Sequence, residues 1–141
     1  MIIQTHPVLW PVVQTHGCYL MVLIWYANQK VGLVVSPELI NSLYDEFVRL
    51  SWMQVDCKIM RPQEILNRLG VRCRYTDKHE PVSRICGPRE FEVLYWLWPE
   101  EKREHFTAGD GYGHVTYDPM GESRTVRYGR LASKRIFERI A

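Results

Sequence analysis

The chain has 141 residues, of which 46% are hydrophobic and 24% charged, with a formal net charge of +2. That length fits one domain, residues 1–141, large enough to bury a core, and the composition excludes a disordered or fibrous chain. The net positive bias is small and the basic residues are dispersed, which argues against a nucleic-acid partner.

The N-terminus has no positively charged start of the kind a signal peptide carries, and Pro7 and Pro11 interrupt it. The apolar stretch over residues 17–27 is too short to span a bilayer, so no membrane partner is expected. The four cysteines, Cys18, Cys57, Cys73 and Cys86, never form a Cys-x-x-Cys pair, so zinc has no spacing signal. Neither a metal nor a cofactor is expected, and reduced thiols in a cytoplasmic protein are the expected state. "IIQTHP" and "VVQTHG" echo each other ten residues apart, too briefly to mark a repeat architecture.

"QTHGCYLMVLIWYANQ" has an apolar run too long for a typical strand, which predicts a buried helix starting near Gly17. A second helix is expected from "SPEL", with Ser36 as N-cap and Pro37 in the first turn, and Leu39, Leu43, Phe47 and Leu50 on one face. "RPQEILNRLG" predicts a third, stopping at Gly70. Beyond it, "VRCRY", "FEVLYWLW" and "TVRYG" read as strands, and "RLASKRIFERI" reads as a closing helix with a solvated charged face. Helices first and strands later predict an α+β fold, with N-terminal helices packed on an antiparallel sheet.

The most informative segment is "HFTAGDGYGHVTYDP". Its glycines mark a tight turn between two strand-like arms. With a two-residue loop at Gly111 and Tyr112, Ala108 pairs with Val115, Phe106 with Tyr117, and His105 stands opposite Asp118. Phe106, Ala108, Val115 and Tyr117 then share an apolar face, and His105, Thr107, Thr116 and Asp118 a polar one. His114 falls beside the turn, opposite Gly109 and with no carboxylate across from it, so His105 is the preferred imidazole. His6, His16 and His79 have no constellation around them.

A cysteine at a helix N-terminus gains from the unpaired N–H groups there, and Gly17 exposes the backbone just before the sulfur. Cys18, His105 and Asp118 together supply the nucleophile, base and orienting group of acyl transfer. Gln14, four residues before Cys18, is a candidate oxyanion donor alongside the Cys18 backbone N–H. Cys57, Cys73 and Cys86 have no such partners and read as packing residues.

These residues resemble the papain-like cysteine peptidase superfamily, most of all its branch of bacteriocin-leader-processing (double-glycine) peptidase domains. The resemblance lies in Gln14, Cys18, "HF" at 105–106, "GDGYG" and "DP" at 118–119, and in the order Cys, His, Asp. "QTHGCY" is also similar to a little-characterised family from spirochaetes and phages. The resemblance implies a papain-like fold and a hydrolase cutting a peptide or amide bond. Cys18 would be the nucleophile, His105 the general base, Asp118 its partner and Gln14 the oxyanion donor. The chain departs from the pattern at Tyr19, where the family has a small residue. A binding or phage-structural protein that keeps the fold without turnover is the rival reading.

Overall fold

An almost wholly apolar helix sits at the centre of the molecule. In the computed structural model, which describes residues 1–140, α1 (Pro11–His16) is followed after Gly17 by α2 (Cys18–Val31). From Leu20 to Ile24 every α2 side chain is fully buried, which is why that run carries no polar stripe. Gly17 divides the two helices. A Cβ there would come within 2.6 Å of the Val13 carbonyl oxygen, so only glycine permits the close turn that puts Cys18 at the head of α2.

Two further helices begin as the sequence signals. In α3 (Pro37–Arg49) Ser36 Oγ accepts the Leu39 N–H, and Ile40, Leu43 and Phe47 form the buried face. The third expected helix is α4 (Pro62–Arg68), followed by Gly70 in a left-handed conformation.

Five strands follow: β1 (Cys73–Tyr75), β2 (Glu90–Trp98), β3 (Arg103–Gly109), β4 (Val115–Tyr117) and β5 (Arg130–Arg139), with the short helix α5 (Arg124–Tyr128) before β5. They form one antiparallel sheet in the order β1-β5-β2-β3-β4. The described residues are therefore α+β, with α2 packed on the sheet. Tyr26 of α2 ties the two layers by sharing its hydroxyl hydrogen between the carbonyls of Glu92 and Gly109. Aromatic pairs line the contact, with Tyr19 stacked on Phe106 and Trp25 on Tyr117. Among the described residues, no helix is long and apolar enough to cross a membrane.

Three expectations are corrected. "TVRYG" is helical rather than extended, because Ser123 caps it through the Thr125 N–H. "RLASKRIFER" is the inner strand β5 rather than a helix with a solvated face, and its Lys134 and Arg135 are buried. Lys134 is neutralised by Glu92 on β2 at 2.9 Å, which lets a charged residue lie inside a sheet. The hairpin loop is also longer than two residues. Ala108 pairs with Tyr117 and Gly109 with Val115, separated by a bulge, so residues 110–114 form the loop.

That loop is built from within. The Asp110 carboxylate accepts the N–H groups of Tyr112 and His114 and pairs with the His114 ring at 3.0 Å. His114 thus does have a carboxylate partner, from its own turn rather than from across the hairpin. From below, Glu92 Oε2 accepts the N–H groups of Gly111 and Gly113, both at positive φ.

Candidate functional site

Cys18 enters the site from α2, His105 from β3 and Asp118 from the residue directly after β4. His105 Nε2 lies 2.7 Å from Asp118 Oδ1, and the two side chains are only 6% and 7% exposed. The bulge places Asp118 diagonally across from His105 rather than directly opposite, and the side chains meet nonetheless. With Nε2 committed to the carboxylate, Nδ1 is the ring nitrogen left for the Cys18 thiol, whose interaction with the imidazole is itself favourable to its charge.

The electrostatics of the group follow from its neighbours. Burial of the ring, the largest single influence, disfavours imidazolium. The Asp118 hydrogen bond and the contact with Cys18 together outweigh it, lifting the His105 pKa to about 9. Burial likewise works against ionised Asp118, yet His105 and the N–H groups of Met120 and Ser123 hold its carboxyl below the usual range. Asp118 is thus fixed on three sides, which orients the imidazole. A thiol, an imidazole and a held carboxylate in this relation can pass a proton from sulfur to ring and leave a nucleophilic sulfur.

The other three cysteines lack this setting. All four are free thiols, and burial pushes Cys57 up to about 12, Cys73 to about 11 and Cys86 to about 12.

Two cavities share Cys18, His16 and Glu104 as walls, one of about 740 Å³ and the other of about 730 Å³. The first also takes in His105 and Gln4, with Lys102, Arg103 and Arg124 at its outer wall. Cys18 therefore stands where two arms of one groove join.

Gln14 does not line that groove. Its side-chain amide donates to the His6 carbonyl at 2.9 Å, because the break at Gly17 separates its helix from that of Cys18 and removes the shared face of an i, i+4 pair. Gln4 stands there instead. It is 2% exposed, its Nε2 donates one hydrogen to the Gln14 carbonyl at 3.1 Å, and its Oε1 is buried without a partner. The second amide hydrogen of Gln4 is uncommitted. The signal for it was the echo of "IIQTHP" and "VVQTHG": the first copy carries the residue that reaches the groove, and the second holds it in place.

Comparison with curated proteins and with solved structures finds no match to this chain. Residues 1–139 match the family described as "Protein of unknown function, DUF261", and the chain belongs to that family.

Proposed function

We propose that the protein is a cysteine hydrolase of papain-like design that cleaves a peptide or amide bond through a thioester. The observation that carries the reading is the buried 2.7 Å His105–Asp118 pair whose imidazole lines one cavity with a helix-leading cysteine, the three residues coming from separate segments of the chain. A structural ion pair has no need of a thiol on its far side, nor of a cavity in front of it.

In the proposed reaction the Cys18 sulfur, its proton held by His105, attacks the carbonyl carbon and forms a C–S bond. The second N–H of Gln4 and the Cys18 backbone N–H, which has no acceptor within α2, stabilise the oxyanion. His105 then protonates the leaving nitrogen as the C–N bond breaks. Water next adds to the thioester, giving its proton to His105, and the C–S bond breaks to release the acid and restore the thiol. Asp118 remains ionised throughout and keeps the ring in line.

A screen of mixed peptides, read by mass spectrometry, tests this directly. The wild-type chain should release cleavage products that Cys18→Ala and His105→Ala do not. Equal products from wild type and Cys18→Ala would remove the hydrolase reading and leave a binding protein of the same fold.

A further inference from the structure

The second arm of the groove ends on a cation that nothing in the fold neutralises. Arg135 of β5 is 7% exposed and lies on the face of the sheet that meets the helices. Its guanidinium sits 4.8 Å from the centre of the Tyr95 ring and 5.4 Å from that of Phe106, and Nη1 donates to Ser133 Oγ at 2.6 Å. Among the described residues, ion pairs join Arg68 to Glu46, Arg84 to Glu90 and Lys134 to Glu92, and none reaches Arg135. The contrast with Lys134, its neighbour in sequence, is sharp. Both are buried, yet only Lys134 is given a carboxylate.

The hydrogen-bond partners of Arg135, Ser133 and the Tyr75 hydroxyl, are both neutral, and a second group in the same arm has no partner at all. Tyr19 directly follows Cys18 and stacks on Phe106 at 4.4 Å, and its hydroxyl is buried with no hydrogen bond. Tyr19 and Arg135 both line the 730 Å³ cavity that begins at Cys18, and the charge of Arg135 acts on the Tyr19 phenol. A buried cation short of an anion and a buried donor short of an acceptor have the same missing complement. One carboxylate supplies both, accepting from the guanidinium and from the hydroxyl.

The acidic residues of this arm do not fill that role. Asp56, Asp77 and Glu104 are exposed, and Glu104 accepts the Tyr95 hydroxyl. Charges at the solvated rim are screened, whereas a buried guanidinium exerts its field inside the cavity.

We propose that the Arg135 arm is the specificity subsite of the hydrolase reading given above, on which this inference rests, and that it takes a carboxylate of the peptide substrate. The carboxylate comes either from an Asp or Glu side chain or from a free chain terminus. Tyr19, where the resembling family has a small residue, then serves as a donor that this chain has added beside its nucleophile.

Isothermal titration calorimetry on the full chain carrying Cys18→Ala tests the proposal without turnover. Three sets of N-acetylated peptides serve as probes: C-terminally amidated peptides containing Asp or Glu, their Asn and Gln counterparts, and neutral peptides with a free C-terminal carboxylate. The acidic or the free-terminus set should bind at least about tenfold tighter than the amide counterparts, a gap typical of a charge-assisted hydrogen bond. Whichever set does so identifies the source. Adding Arg135→Gln should abolish the preference while neutral amidated peptides bind as before, and Arg135→Lys should restore part of it. Tyr19→Phe covers the case in which Arg135→Gln does not fold. It removes one orphaned hydroxyl, so it should leave the melting temperature unchanged or raised while weakening the preferred set several-fold. Equal affinity for all three sets, or a preference that survives Arg135→Gln, overturns the subsite. An alkylation-inert Cys18 in a chain that still selects carboxylates would overturn the hydrolase and spare the subsite. A reactive Cys18 without that selection would do the reverse.

Discussion

His105 is held charged by its neighbours in spite of burial, and this makes it a pH-sensitive part of the fold. Its pKa in the folded chain, about 9, lies above the ordinary value of 6.5. The stability it contributes is therefore present in full below about pH 6.5 and is lost as pH rises through about 9. Thermal melts at pH 6 and pH 9.5 should show the wild type losing more stability over that interval than Asp118→Asn, in which one of the two stabilising contacts is gone. Gln4 gives a different signature. If it donates to the oxyanion, Gln4→Ala should lower turnover by about 10²–10³-fold, as loss of such donors does, while leaving the alkylation rate of Cys18 close to wild type. An equal fall in both would mark Gln4 as structural. Cys18, His105 and Asp118 were legible in the sequence because their chemistry and their chain order are distinctive even when the strand register is mistaken. Gln4 was marked only by the echo of "IIQTHP" and "VVQTHG", which does not tie it to Cys18. It lies fourteen positions from Cys18 and is brought there by tertiary contacts, among them the Gln4 N–H on the Pro119 carbonyl at 2.7 Å.

Between the residues and the molecule stand the elements that aim them. The loop after β3 hangs on Glu92, which accepts two of its N–H groups and faces Lys134, itself donating to the Arg84 carbonyl. Glu92→Ala should cost about 3–5 kcal/mol in denaturant unfolding, since it leaves Lys134 buried and uncompensated. Gly17→Ala should cost about 1–3 kcal/mol by crowding Val13, and should also slow Cys18 by shifting the head of α2. Cap and breaker residues made α2, α3 and α4 readable, as Ser36, Pro37 and Gly70 act on the backbone next to them. β5 was misread for the opposite reason. Lys134 and Arg135 look like a solvated face until Glu92, forty-two positions away in sequence from Lys134, is folded against Lys134, and the rings of Tyr95 and Phe106 against Arg135.

At the scale of the whole molecule, the site depends on both ends of the chain. β5, the last strand, lies between β1 and β2, and the N-terminal segment is bound to the hairpin through Tyr117 Oη on the Ile2 carbonyl as well as through Gln4. Deleting residues 130–141 should therefore abolish the cooperative thermal transition followed by circular dichroism rather than trim a dispensable tail. The sequence foretold an antiparallel sheet beneath N-terminal helices. The insertion of the final strand into its middle was not legible, because strand order is fixed by long-range pairing that no local pattern encodes. The convergence of distant segments on Cys18 is the central claim. It is tested most directly by iodoacetamide alkylation at neutral pH, with the four cysteines resolved by mass spectrometry. Cys18 should react first, ahead of the three thiols that burial holds near 11–12, and His105→Ala should slow it by about tenfold or more. Four cysteines reacting slowly and alike, or a Cys18 indifferent to the loss of His105, would contradict the account.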